Sequence, residues 1–552
     1  WRVMAHSWER LSDAEQSVLT RLTVFRGSFS LEAARAVAGA ELDLLLGLVD
    51  RTLVRRRTSG RFALHALISQ YARLHGPAAD LAEARTAHMQ FFTGLLGRVA
   101  ADLKGRDVPA GLELVQQELA DVEAAWDHAA QQLDLSALAS AREALEYFLY
   151  YRARFTTGSR LFGTAAAALA GAHGAEAQRL RGWMLLHQSD HERLNSRLQP
   201  ARQLLDEALS TLREWGSELD LAYAHLAEGT MLRQAGNYAA AEAKLQAVLE
   251  VATSAGDNYL AGSAHNGLGT VLADGRGDVE RAEEHYRLSL AAHRRVDNLE
   301  GITGALVNLG ACRFELDDLS EAERLWTEAA EACSLLGYRQ REAAILNNLG
   351  SLAEERGDED AAQLQYERSL KMRREIGDTA GIARVLPNLG RLAHRRHDHA
   401  RARVLFQESL DVSLAAGESD AVVHSRSMLI RSLAGLGRFR DAAAQAQVAL
   451  ELTLDTDSLR DALSVLFSVA LLWERQGQEC SALGLARSVE AAAAGTLEPL
   501  RREAELVAGR LAASCGRPAE PAPDIMQLAA DVLEQLRQLP AGQGRGTPVE
   551  RS

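Results

Sequence analysis

The stretch Asn308-Leu309-Gly310, followed by Asp317, Ala322 and Trp326, returns one unit later as Asn347-Asn-Leu-Gly350, Gly357, Ala362 and Tyr366. Leu-Gly before a turn, then Ala and an aromatic after it, describes two closely packed helices. The Gly and Ala let the backbones approach, and the ring fills the space beside them. A Gly inside a helix costs about 1 kcal/mol relative to Ala, so its recurrence asks for a packing reason. Outward from this stretch, turns fall near Thr156, Ser196, Gly236, Gly277, Asp317, Gly357, His397, Gly437 and Gly477, every 40 residues with one step of 41. Five residues after each turn from Ser196 onward stands an alanine: Ala201, Ala241, Ala282, Ala322, Ala362, Ala402, Ala442 and Ala482. Four further on come Leu205, Leu245, Tyr286, Trp326, Tyr366 and Phe406. The first unit, 136–172, keeps the period but has Leu161 at the alanine position, as suits a degenerate capping repeat.

Composition agrees with a helical array. The 552 residues are too many for one ordinary core, 47% are apolar, only 5% are aromatic and ten are proline; this disfavours sandwiches, barrels and disorder. The 61 basic and 75 acidic residues leave a net charge of −14, so the molecule as a whole repels nucleic acid and anionic lipid. Cys312, Cys333, Cys480 and Cys515 show no C-x-x-C spacing and are expected to be reduced thiols of a cytoplasmic protein, with neither a zinc site nor a disulfide framework. No segment approaches 18 uninterrupted apolar residues. The chain opens Trp1-Arg-Val-Met without a signal-peptide pattern, which points to a fragment of a longer protein and leaves open whether Trp1 is a true start.

Residues 1–76 follow another logic. A helix capped by Ser12-Asp-Ala-Glu15 is expected to end near Phe25, with further helices at 30–38 and 41–52, a hairpin over 53–64 turning at Ser59-Gly60, and a helix from His65 to His75. Three helices and a hairpin make a winged-helix shape. Eleven basic and seven acidic residues give it +4, with Arg55, Arg56, Arg57 and Arg61 on the wing. The third helix, Glu41-Leu-Asp-Leu-Leu-Leu-Gly-Leu-Val-Asp50, offers no donor to a base edge and would bring carboxylates to phosphates, which speaks against DNA reading.

The Leu-Gly and Ala-aromatic pattern over about 136–495 closely resembles tetratricopeptide repeats, in the longer 40-residue form found in kinesin light chains and bacterial signalling ATPases. The resemblance implies an all-α fold, a right-handed superhelix of about nine helical hairpins with a concave groove for peptides or partner domains. The string Ser7-Trp8, Leu22-Thr-Val-Phe25, Gly60-Arg-Phe62, Leu64-His65 and Gln70-Tyr-Ala-Arg73 resembles the winged-helix domain of bacterial STAND ATPases of the NB-ARC class. Glu118-Leu-Ala-Asp-Val-Glu-Ala-Ala-Trp126 resembles the linker helix that leads into their repeats. The resemblance implies that His65 corresponds to the histidine of the family's Met-His-Asp motif, which contacts the ADP β-phosphate in the inactive state; Ala66 departs from the motif's acidic residue. A hairpin-helix cap is the plain alternative for His65.

The expected organisation is a winged-helix domain over 1–76, a helical linker over 77–135, repeats over 136–495, a capping helix over 496–515, and over 516–552 a linker, a short helix from Asp524 to Leu539 and a disordered tail. No G-x-x-x-x-G-K-[ST] loop, H-E-x-x-H or G-x-S-x-G occurs, so no enzyme is expected; no cofactor is expected in this chain, and ADP or ATP would sit on an upstream nucleotide-binding domain. His394-Arg-Arg-His-Asp-His-Ala-Arg-Ala-Arg403 is a candidate metal or anion site, with a solvated turn as its plain alternative. The residue before Leu-Gly should face the groove, which makes Asn308, Asn348 and Asn388 a ladder able to bind a peptide backbone, with Arg384, Arg391 and Arg395 favouring an acidic ligand. The functional expectation is a sensor module whose peptide or protein partner controls an upstream switch in a signalling or transcriptional regulator. A DNA-binding regulator acting through its own winged helix, or a free scaffold, are the alternatives.

Overall fold

Capping signals set the first elements. The computed structural model describes residues 2–105, 107–416, 419–494, 497–515 and 524–538. Helix α1 (Arg2–Glu9) precedes α2 (Asp13–Leu22), where Ser12 and Glu15 form the capping box their spacing predicts. Ser30 caps α3 (Leu31–Ala38), and α4 (Leu42–Asp50) follows. Strands β1 (Val54–Arg56) and β2 (Phe62–Leu64) pair antiparallel with Val54 opposite Leu64, and Gly60 takes φ +80° in the turn between them. Then comes α5 (Ala66–His75). The sequence did not suggest α1, and α2 stops at Leu22, so that Val24 and Phe25 leave the helix and enter the core. Two long helices follow, α6 (Ala78–Lys104) and α7 (Val108–Gln132).

The chain divides at Tyr338/Arg339 into two compact units. The first continues with five hairpins: α8 (Leu135–Tyr151) with α9 (Phe155–Leu169), α10 (Ala175–Leu194) with α11 (Leu198–Trp215), α12 (Glu218–Gln234) with α13 (Tyr238–Ala255), α14 (Asn258–Arg276) with α15 (Val279–Arg295), and α16 (Leu299–Glu315) with α17 (Leu319–Leu336). The second holds α18 (Arg339–Glu355) with α19 (Glu359–Ile376), α20 (Thr379–Arg395) with α21 (His399–Ala416), α22 (Ser419–Gly435) with α23 (Phe439–Thr456), and α24 (Leu459–Arg475) with α25 (Glu479–Ala492), then α26 (Glu498–Ala512) and α27 (Ile525–Arg537).

The columns read from the sequence are the packing contacts. All eight alanines from Ala201 to Ala482 are fully buried, as are the large residues four positions on. First-helix glycines at one repeat position lie against the large residue of their own hairpin. A Cβ added at Gly229, Gly269, Gly310, Gly350 or Gly390 would come within 2.9, 2.7, 2.4, 2.6 or 2.6 Å of Leu245, Tyr286, Trp326, Tyr366 or Phe406. The eight turns from Ser196 to Gly477 are the positions where the backbone takes positive φ. The first expected turn shifts: Ala153 has the positive φ, and Thr156 already lies in α9. Five residues past Ala153 is Gly158 and four further is Phe162, so the small-then-large pair exists here too, and Leu161 is not in the alanine column. The Arg154 backbone N–H bonds back to Leu149, which ends α8 three residues earlier than the 40-residue step suggests.

One cysteine expectation is overturned. Cys480 and Cys515 form a disulfide, with Cα atoms 5.6 Å apart. Their 35-residue separation carries no motif; the pairing arises because α26 folds back on α25. Cys312 and Cys333 are buried free thiols, and burial pushes Cys312 up to about 11. Helix α27, capped by Asp524, buries Ile525, Ala529, Val532, Leu533 and Leu536 in the core shared by α22–α26, and its Leu536 carbonyl accepts from Gln447 at 2.7 Å. The expected linker 516–523 and the tail from Pro540 lie outside the described residues. No described helix is long and apolar enough to cross a membrane.

Candidate functional site

The N-terminal elements are tied to the helices that lead into the repeats. Arg61, just before β2, makes a two-armed ion pair with Glu118 of α7, at 2.5 and 2.8 Å. Asp121, one turn on, accepts from the Arg26 backbone N–H at 2.7 Å and contacts His88 of α6 at 2.9 Å. Further along α7 the Trp126 indole donates to the Leu161 carbonyl of α9 at 2.9 Å. A chain of directional contacts thus runs from the hairpin through α7 into the first repeat.

His65 stands at the junction of β2 and α5. Its Nδ1 accepts from the Leu67 N–H at 3.3 Å, which makes it the N-cap of α5, and the residue is exposed. Its chain neighbours Leu64 and Ala66 line a cavity of about 620 Å³, walled also by Phe25, Arg26, Arg57 and Arg73. Arg73 donates to the Thr23 carbonyl, and its guanidinium is weakened by burial and by Arg26 and Arg85 nearby.

The asparagines lie on the face where successive first helices meet. Within the first unit Asn308 donates to Asn266 at 2.9 Å; within the second, Asn388 donates to Asn347 at 3.0 Å. All four are half-buried. In both pairs the residue before Leu-Gly reaches back to the residue two before Leu-Gly on the preceding helix. Asn348 makes no such bond among the described residues. Asn308 and Asn388 therefore act as latches between helices, using one of their two amide N–H groups. The arginines differ too. Arg391 donates with two nitrogens to Glu354 at 3.1 Å each, and Arg395 approaches the same carboxylate at 2.9 Å, where Tyr366 also donates at 2.8 Å. Burial would raise the Glu354 carboxyl, but these partners hold it below the usual range. Arg384 is exposed with no ion pair among the described residues.

The same face of the first unit carries features that sequence reading missed. Rings follow one another from Phe162 to His187 (4.9 Å), Trp183 (5.7 Å), Tyr223 (5.3 Å), Tyr259 (6.1 Å) and His293 (5.9 Å), one ribbon across four hairpins. Their polar atoms are engaged: Trp183 with Asp220 at 2.8 Å, Tyr223 with Asp257 at 2.9 Å, and Tyr259 with Tyr147 of α8. Arg142 lies over Trp183, 4.1 Å from its centroid, and donates to His187 at 2.9 Å. Below it Glu146 meets His191 at 3.0 Å; burial would raise the Glu146 carboxyl, but His191 and His187 hold it down to about 2. Burial takes His187 down to about 3. The partial signal was Tyr223 and Trp183, 40 residues apart at one repeat position, but they belong to no Leu-Gly or alanine column.

His394 and His399 approach at 3.3 Å in the turn where His397 takes positive φ, and Arg401 pairs with Glu367 at 2.6 Å. Among the described residues no group of three or more His, Cys, Asp or Glu is arranged to hold a metal ion.

Residues 302–375 match the tetratricopeptide repeat family model. No curated protein matches the sequence. Among solved structures the fold is similar to a Signal Transduction ATPase with Numerous Domains (STAND) protein with a tetratricopeptide repeat sensor from Pyrococcus horikoshii, with 12% identity, a TM-score of 0.52 and 91% of this chain covered. This chain spans 66% of that protein's length. Weaker likenesses are the apo quorum sensor NprR from B. thuringiensis, 12% identical with TM-score 0.46 over 64% of this chain and 98% of that one, and a Rap protein complexed with Competence and Sporulation Factor, 15% identical with TM-score 0.40 over 66% and 99%.

Proposed function

We propose that this chain is the sensor portion of a STAND-type signalling or transcriptional regulator, in which a peptide or partner protein held on the first-helix face of the repeats controls an upstream nucleotide-binding switch. The observation that carries this reading is the unbroken set of contacts from the hairpin to the repeats: Arg61 to Glu118, Asp121 to Arg26 and His88, and Trp126 to Leu161. On this reading a strain imposed on the first hairpin passes through α7 to the hairpin strand that leads into His65 and α5. The small N-terminal domain acts as a winged helix that reports on nucleotide, and His65 offers an imidazole to a phosphate on the upstream domain. The likeness in fold to a STAND protein with a tetratricopeptide repeat sensor supports this reading. The DNA-binding alternative is disfavoured because Arg61, the last of the four wing arginines, is held by Glu118. A metabolic enzyme is not part of this reading.

The test uses the longer protein as its gene encodes it. A phosphate-binding loop upstream, ADP that co-purifies, and a fall in ADP retention on His65→Ala are the expected results. One charge-assisted hydrogen bond is worth about 1.5–3 kcal/mol, which moves a balanced switch well beyond measurement error. ADP content and basal activity that do not change would leave His65 as a helix cap.

A further inference from the structure

The second unit places arginines, a histidine and serines on its first-helix face by repeat register. Arg384, His424 and Ser464 occupy one repeat position, and Arg391 and Arg431 another. Contacts between neighbouring first helices mark this face: Ser427 of α22 bonds Ser464 at 3.2 Å and Ser468 at 2.7 Å on α24. Arg431 lies over the Phe467 ring, 4.9 Å from its centroid, and its Nε donates to the Ser468 hydroxyl at 3.0 Å. The stacking and the serine fix the guanidinium in one orientation, and its outer nitrogen reaches Glu503 at 3.2 Å, a carboxylate still 57% exposed. His424 is exposed on the same helix. Desolvation of its ring and the charges of Arg431, Arg391 and Arg460 push its imidazole below the ordinary value, so these four groups share one field. Arg460 and Arg384 are exposed with no ion pair among the described residues. Glu354 and Glu503 offset the charges of Arg391 and Arg431.

We propose that His424, Arg431 and Arg460, with Arg384 one repeat earlier on α20, form an anion-binding site on the face shared by α20, α22 and α24, and that its occupant is an acidic segment of a peptide. The proposal deepens the groove-binding reading above and rests on it. Neighbouring helix axes stand about 8–10 Å apart, so no single carboxylate reaches cations on three helices. An extended chain places alternate side chains about 7 Å apart on one side, which suits carboxylates that step from α20 to α24. With Nε on Ser468 and one outer nitrogen on Glu503, the oriented Arg431 keeps its other outer nitrogen for one carboxylate, and the half-buried Ser464 adds a hydroxyl within the same patch.

The site is tested on the full chain with a fluorescent six-glutamate peptide, its six-glutamine counterpart, and inorganic phosphate as competitor. The glutamate peptide is expected to bind, to weaken with added salt and to ignore the glutamine version. The His424→Gln, Arg460→Gln double variant replaces exposed groups, so the fold survives, and it is expected to weaken binding roughly tenfold. Arg440→Gln, an exposed arginine on α23, is expected to change binding less than roughly twofold. Equal losses in both variants would show a non-specific field and overturn the site. Phosphate that binds as tightly as the peptide would overturn the extended occupant. Absence of peptide binding, while a natural partner still cross-links to the first helices, would sink this site and leave the groove reading intact. Peptide binding that holds in the longer protein without any effect on nucleotide retention would sustain the site and sink only the coupling to a switch.

Discussion

The two units share one skeleton and differ on the face their first helices share. In the first unit that face is a ribbon of rings, Trp183, Tyr223 and Tyr259, whose polar atoms are engaged by Asp220, Asp257 and Tyr147. In the second the ribbon gives way to Arg391, His424 and Arg431 among serines. Between helices the rule is steric, and both units obey it: Gly310 meets Trp326 as Gly390 meets Phe406. On the shared face only neighbours and ligands constrain a side chain, so the units are free to diverge there. The difference separates what builds the array from what the array is used for.

The sharpest way to break that division is one substitution made at two glycines. At Gly310 a Cβ would sit 2.4 Å from the Trp326 ring, which is itself buried and hydrogen-bonded to the Val307 carbonyl at 3.0 Å. Gly310→Ala is expected to destabilise the chain by about 3 kcal/mol in urea melts. Gly509 in α26 is exposed, has nothing within 4 Å and lies in ordinary helical backbone. Gly509→Ala is expected to stabilise by about 0.5–1 kcal/mol. The same sign at both positions would end the claim that the glycine column exists for close packing.

Much of this skeleton was legible because a steric rule repeats. Eight turns, eight alanines and six large residues stand where the period puts them, since a hairpin with a bulkier residue at the alanine position cannot close. The first hairpin escaped because α8 ends early and the turn falls at Ala153, which breaks the count by three residues and hides Gly158 and Phe162 as its small-large pair. The Cys480–Cys515 bond escaped because it depends on how α26 returns along α25. The shared face was legible only in part. Asn308 and Asn388 were found through their place before Leu-Gly, but their bonds to Asn266 and Asn347 depend on the stagger between helices. Arg391 and Arg395 read as free cations until Glu354, 37 and 41 residues earlier, was seen to face them.

Within the first unit the buried pair Glu146–His191 offers a smaller test. His191 is fully buried, and although burial would lower its pKa, the Glu146 carboxylate raises it above the ordinary 6.5. Glu146→Gln removes that charge and is expected to cost about 2–3 kcal/mol, short of a full buried-charge penalty because His191 can release its proton. Nuclear magnetic resonance titration should show the His191 pKa falling in the variant. An unchanged His191 titration would mean that Glu146 is not its partner.

Acid should weaken both units through their depressed histidines. Burial takes His187 to about 3 and His265 and His394 to about 4, against an ordinary 6.5. Between about 4 and 6.5 the unfolded chain binds protons at these positions and the folded chain does not, so stability rises with pH across that window and levels off above it. His191 has the opposite sign: its contribution is complete below 6.5 and fades as pH climbs through its raised value. Three groups outweigh one. The melting temperature is expected to fall from pH 7 to pH 5 by an amount equivalent to about 2 kcal/mol, a figure reduced for partial solvent access. A flat profile over that range would show that these imidazoles are protonated in the folded chain.

The asparagines sharpen the comparison most finely, because skeleton and use meet in one column. Asn308→Ala and Asn388→Ala each delete a donor and leave the partner amide, Asn266 or Asn347, half-buried with one bond fewer. Each is expected to cost about 1 kcal/mol. Asn348→Ala deletes no described bond between helices and is expected to leave the melting curve within about 0.5 kcal/mol of the parent. If a peptide backbone is read along this column, Asn348→Ala must still weaken partner capture, since its whole amide is available to a ligand. A variant with parental stability and parental capture would confine the column to latching helices together, and the ligand-reading role would pass to the arginines and His424. A variant that loses capture while it melts like the parent would show that one repeat position, Asn348, is kept for the ligand while its neighbours at Asn308 and Asn388 also hold the array together.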